Sequence, residues 1–120
     1  MLAFRTFLGV VLVGIVVYTA IVGINHGWNL LPIFFGDITK MNWPGQFNLD
    51  FLGLLLLSGL WVSWRHEFSP AGIALGLVAV FGGFPFLSTY LLIVSLSTSG
   101  DMATLLLGTV RAKQFRRSAA

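Results

Sequence analysis

Few side chains in this sequence are equipped for chemistry. Its 120 residues include four carboxylates, two histidines, seven lysines and arginines, and no cysteine. The lack of cysteine excludes disulfides, thiolate catalysis, iron–sulfur ligation and Cys-based zinc sites. Two histidines and four acids spread over separate segments build no catalytic triad, no paired acids and no metal-ligand spacing, so no enzyme activity is expected. Three positions remain as candidates. Asp50, in Asn48-Leu49-Asp50-Phe51, stands at the head of an apolar run. A carboxylate near a membrane is costly and often serves proton or cation coupling. The plainer reading, and the preferred one, is a first-turn acid complementing the positive end of a helix dipole. His26 follows an apolar run and precedes Trp28. Its imidazole is a candidate axial ligand for haem or a chlorophyll-type pigment, against the commoner role of an interfacial polar residue. His66 lies between Arg65 and Glu67 and reads as part of a solvated charge cluster or a contact with a partner protein.

The elements that position these residues belong in a membrane. The chain is 57% hydrophobic and 9% charged, which places it in the membrane class. No charged residue lies between Glu67 and Asp101. As a helix the stretch 69–97 is about 40 Å long, more than the roughly 30 Å hydrocarbon core of a bilayer. The expected fold is all-α: one membrane domain over 1–120, with three transmembrane helices near 7–24, 47–64 and 70–97 and an interfacial amphipathic segment at 101–117. The first span is too long for a typical signal-peptide core and lacks a clean cleavage site, since Tyr18 stands at the −3 position before Ala20; it is expected to be retained.

Local signals refine these elements. The connection 25–48 is aromatic, with Asp37 and Lys40 as its only charges, and is expected in the headgroup region with a short helix near 32–41. The second span has two candidate starts. Asn48 as cap would put Asp50 in the first turn; a start at Pro44 would put Asp50 more than one turn inside. Ser69 as cap and Pro70 in the first turn begin the third span after a tight turn. Gly72, Gly76, Ala79 and Gly83 form a small-residue seam for close helix packing. Gly82-Gly83-Phe84-Pro85 should kink or unwind the helix, with Ser88 and Thr89 available to repair freed backbone groups. In the tail, Arg111, Lys113, Arg116 and Arg117 are expected to face lipid headgroups. Three spans put Arg5 and Arg65 on one side and five cations on the other. The C-terminus is therefore expected in the cytoplasm of a bacterial inner membrane, with the N-terminus outside.

Asn48-Leu49-Asp50-Phe51, Arg65-His66-Glu67 and Gly82-Gly83-Phe84-Pro85-Phe86-Leu87 together resemble the motifs of a family of small bacterial membrane proteins, the domain of unknown function 2834 family. The likeness covers roughly residues 18–90. This chain departs from it by running on for about thirty residues after the proline stretch. The resemblance implies three spans and no mechanism.

The function that fits best is a non-catalytic accessory or assembly subunit of a larger membrane complex. Its expected partners are membrane lipids and other integral membrane subunits or further copies of itself, with no nucleic acid. Two alternatives stand beside it: a homo-oligomeric transporter or channel coupled through Asp50, and a pigment- or haem-binding subunit using His26. No cofactor is otherwise expected.

Overall fold

Described over residues 1–119, the computed structural model is all-helical: α1 (Leu2–His26), α2 (Leu30–Thr39), α3 (Trp43–Arg65), α4 (Pro70–Ser97), α5 (Met102–Leu107) and α6 (Thr109–Ala119). Of these, α1, α3 and α4 are long and apolar enough to cross a membrane. Their side chains need no water, and in lipid the helix is the form that satisfies every backbone group internally. α1 begins earlier than expected because Arg5 finds a partner inside the chain. α1 ends at Gly27, where the Trp28 ring folds back over Gly23, a close approach that any side chain at Gly23 would block.

The start of α3 decides where Asp50 lies. Asn42, not Asn48, is the cap: its Oδ1 accepts from the Gly45 N–H at 3.0 Å, and Pro44 occupies the first turn, where its missing N–H costs nothing. Asn48 instead ties α2 to α3, donating from Nδ2 to the Phe34 carbonyl at 3.2 Å. Asp50 therefore sits about 10 Å along α3 from Trp43, beyond the reach of the terminal dipole. The first-turn reading of Asp50 does not hold.

α4 starts as its sequence requires, with the Ser69 hydroxyl accepting from the Gly72 N–H. The seam then packs inside the chain: Gly72, Gly76 and Ala79 are buried, and Gly76 lies on Gly59 of α3. A Cβ on Gly76 would come within 2.7 Å of the Gly59 carbonyl oxygen, so both glycines are needed for backbones this close.

At Gly83 the chain leaves the helix, with φ 61° and ψ −147°, a conformation that L side chains rarely adopt. A straight α4 would carry Tyr90 about 30 Å beyond Pro70. Yet the Tyr90 hydroxyl lies 2.7 Å from Nε2 of His66, and its ring stands 6.0 Å from that of Trp61. α4 is thus a helical hairpin. An outgoing limb, residues 70–82, runs antiparallel to α3 as far as Phe51 and Leu55, whose side chains meet Gly83. A returning limb, residues 84–97, comes back toward Arg65. Each limb is about 20 Å long, short of the hydrocarbon thickness. The proline reads differently in this light. Gly83 stops one helix and Pro85 starts the next, the usual order of the two residues at helix ends. Ser88 and Thr89 do not reach the carbonyls before the break; they donate to Phe84 and Pro85, inside the returning limb.

The tail is two helices rather than one amphipathic segment. Gly108, at φ 84°, separates α5 from α6 and lets the chain pass close over the Arg65 carbonyl. Because the hairpin returns, Met1, the turn 66–69, Gly100 and α5 gather at one end of the molecule, called the basic end below. α2 and the start of α3 form the opposite end.

Candidate functional site

Arg65 organises the basic end. At the C-terminus of α3 its guanidinium donates to three elements: Nε to the Leu105 carbonyl at 2.6 Å, one terminal nitrogen to the Thr104 carbonyl at 3.1 Å, and the other to the Tyr90 hydroxyl at 3.2 Å. A planar donor fork suits this task better than an ammonium would. With Arg65 donating to its oxygen, Tyr90 is free to give its own proton to Nε2 of His66. Burial first, and the Arg65 charge second, hold the His66 imidazole below its ordinary pKa, which favours the neutral, accepting ring. The Phe86 ring stacks on Tyr90 from the same limb, 5.9 Å between centroids.

Around this centre the tail is fastened by further polar contacts. Trp61 donates its indole N–H to the Leu106 carbonyl at 3.1 Å. Arg111 donates to the Trp64 carbonyl, stacks 4.1 Å over the Trp64 ring and pairs with Glu67 at 3.2 Å. Asp101 caps α5 by accepting from Thr104 and pairs with Arg116; these contacts, the Thr104 hydrogen bond first, lower its pKa. Arg5 reaches across from α1 to Ser95, donating to its hydroxyl at 3.1 Å and its carbonyl at 2.8 Å. Four arginines thus bind carbonyls, hydroxyls and acids of the chain itself. Of the cations expected to face headgroups, Arg111 and Arg116 are engaged internally. Lys113 and Arg117 are exposed and form no ion pair among the described residues.

The opposite end is built otherwise. Asp50 is exposed and takes part in no ion pair among the described residues. Lys40, the one cation of this end, lies 3.9 Å from Asp37. His26 is exposed at the end of α1, and no group of three or more potential metal ligands occurs among the described residues. The structure therefore does not bring Asp50, His26 and His66 together: His66 belongs to the basic end and the other two to the opposite one.

Two cavities accompany these ends. An apolar cleft of about 520 Å³ lies between α3 and the returning limb, with Leu54, Leu57 and Trp61 on one wall and Leu87 and Leu91 on the other. The Gly83 turn closes one end and α5 the other. A smaller, polar recess of about 260 Å³ is lined by Arg65, His66, Glu67 and the start of α6. Sequence reasoning missed the parts played by Arg65 and Tyr90. The available signal was a tyrosine seven residues after Gly83 facing an arginine and a histidine before the hairpin, which is meaningful only once the reversal is known. Compared with known proteins, the chain matches no family model, no curated protein and no solved structure.

Proposed function

We propose that this chain is a non-catalytic accessory or assembly subunit of a larger complex in a bacterial inner membrane, and that it belongs with the small membrane proteins it resembles. The observation that carries the reading is α1. Only Leu8 and Gly23 of this 25-residue span are buried, and residues 9–22 contain no buried position. α1 meets the hairpin near its start and then runs on about 20 Å without comparable support. In lipid, helix association comes from packing rather than from hydrophobic drive, so such a span is a ready surface for another membrane helix. The orientation belongs to the same proposal. With both termini at the basic end, six cations lie on one side and Lys40 alone on the other. The positive-inside rule then puts both termini in the cytoplasm.

A second reading is favoured by one feature. The break in α4 places a helix C-terminus and a helix N-terminus at membrane depth, beside the stretch of α3 that carries Asp50. Broken helices at the bilayer midplane are how many transporters hold ions. Under that reading the chain would oligomerise and Asp50 would be the coupling group.

Extraction in mild detergent, followed by a native gel and mass spectrometry of co-migrating chains, tests the first reading. Migration with other integral membrane proteins is expected. Migration as a single chain would overturn it. Proton or cation flux into liposomes holding the purified chain alone, abolished by Asp50→Asn, would put the second reading in its place.

A further inference from the structure

We infer that the face of α3 formed by Asp50, Leu54, Leu57 and Trp61 receives a transmembrane helix of a different protein, and that this helix presents a lysine or arginine to Asp50. The inference rests on the subunit reading above and names the chemistry of its partner.

The four residues recur at the spacing of one helix face, four, three and four positions apart. Leu54 and Leu57 are 59% and 61% exposed, and with Trp61 they rim the cleft between α3 and the returning limb. The cleft is already walled on its far side, so a helix laid along the rim would insert side chains into a preformed space. Asp50 continues the rim one turn beyond the cleft.

Depth makes this carboxylate informative. Asp50 stands fifteen residues before Arg65 on an unbroken helix, about 22 Å along its axis. With Arg65 and Trp64 at the basic interface, a hydrocarbon layer of roughly 30 Å contains Asp50. A short acidic side chain there cannot reach water as a lysine can, and acids inside membranes pair with one another, with cations or with donors.

The chain cannot supply the missing charge. Six of its seven cations are at the basic end. The seventh, Lys40, lies beyond α2 and beside Asp37, about 15 Å along the chain axis from Asp50. A second copy inserted in the same orientation brings its cations to the same depths, and lipid tails bring none. A different helix, basic near the depth of Asp50, is the occupant whose charge complements the site.

A photo-reactive amino acid at Leu54 in native membranes tests this, with the same probe at Leu56 as control. Leu56 is similarly exposed, at 56%, on the other side of α3. The expected result is an adduct from Leu54, and not from Leu56, with a membrane protein carrying lysine or arginine at the depth of Asp50. Asp50→Lys should reduce that adduct by roughly tenfold or more. Changing the partner's basic residue to aspartate should restore it in the Asp50→Lys chain. Adducts only with a second copy, only with lipid, or with a helix lacking such a residue would overturn the inference, as would an adduct insensitive to Asp50→Lys. If the chain migrates alone on native gels, the subunit reading fails first. If it migrates with partners while Leu54 stays silent, only this inference fails.

Discussion

The two ends of α3 treat polar groups in opposite ways. At the basic end, Arg65 is spent on the chain itself, bound to two carbonyls of α5 and a hydroxyl of α4. Near the other end, Asp50 faces outward with no ion pair among the described residues. Both belong to one helix and both are costly in lipid, so the difference lies in what surrounds them. The hairpin brings the returning limb, α5 and α6 back to Arg65, and their free carbonyls give its guanidinium acceptors. Nothing comparable returns to Asp50, because the hairpin turns around at its depth. Where the chain folds back it answers its own polar groups; where it does not, an outward acid marks a place for something else.

The largest expected effect is on the hairpin that creates this contrast. Gly76→Leu would drive a side chain into the Gly59 backbone and should destabilise the fold by about 3 kcal/mol, at the upper end of overpacking costs. Gly53→Leu is the counterpart. Gly53 faces open space, and its replacement should stay within about 0.5 kcal/mol. Reversible unfolding in detergent would measure both; equal losses would mean that the limbs do not pack as described. Insertion should survive in both variants, since the helices stay apolar.

Next in size is the contrast between the ends themselves. Arg65→Met removes three hydrogen bonds to a charged group and should cost about 2 kcal/mol, with amide exchange rising at residues 102–107. Asp50→Asn on the isolated chain should change stability by less than about 0.5 kcal/mol. If the order were reversed, Asp50 would have a partner inside the chain and the comparison would fail.

The smallest effect is a dependence on pH. The folded state holds His66 below its ordinary pKa of 6.5, so the unfolded chain takes up the proton first as the pH falls. Its contribution to stability is complete above about pH 6.5 and is lost as the pH drops through the lower folded value. Tyr90→Phe removes the hydroxyl that the neutral ring accepts from, and should flatten that part of the curve in a pH series of unfolding midpoints.

Much of the architecture was legible in the residues. The uncharged stretch 69–97, the Ser69-Pro70 start and the Gly72, Gly76 and Ala79 seam are local signals, and local rules read them correctly. The start of α3 at Pro44 was legible only as one of two alternatives, because Asn42 and Asn48 are equally good caps until α2 claims Asn48. The direction of the chain after Gly83 was not legible. A kink of 20° and a full reversal use the same Gly-Gly-Phe-Pro residues, and the choice is made by contacts from Tyr90 to His66 and from Arg65 to α5, which are distant in sequence. The candidate site followed suit. Asp50 could be singled out by its type and its apolar neighbours, whereas Arg65 looked like one cation in a turn until the returning limb gave it acceptors.

Whether α4 returns can be measured directly, because the chain has no cysteine and single cysteines report unambiguously. Leu2→Cys, Phe68→Cys, Ser118→Cys and Thr39→Cys would each be labelled in sealed, oriented vesicles with a maleimide that cannot cross the membrane. With the hairpin, Leu2, Phe68 and Ser118 positions should react from the same face and Thr39 from the other. Labelling of the Ser118 position together with Thr39, opposite Leu2 and Phe68, would mean that α4 crosses the bilayer in one run, and would contradict the fold on which the rest depends.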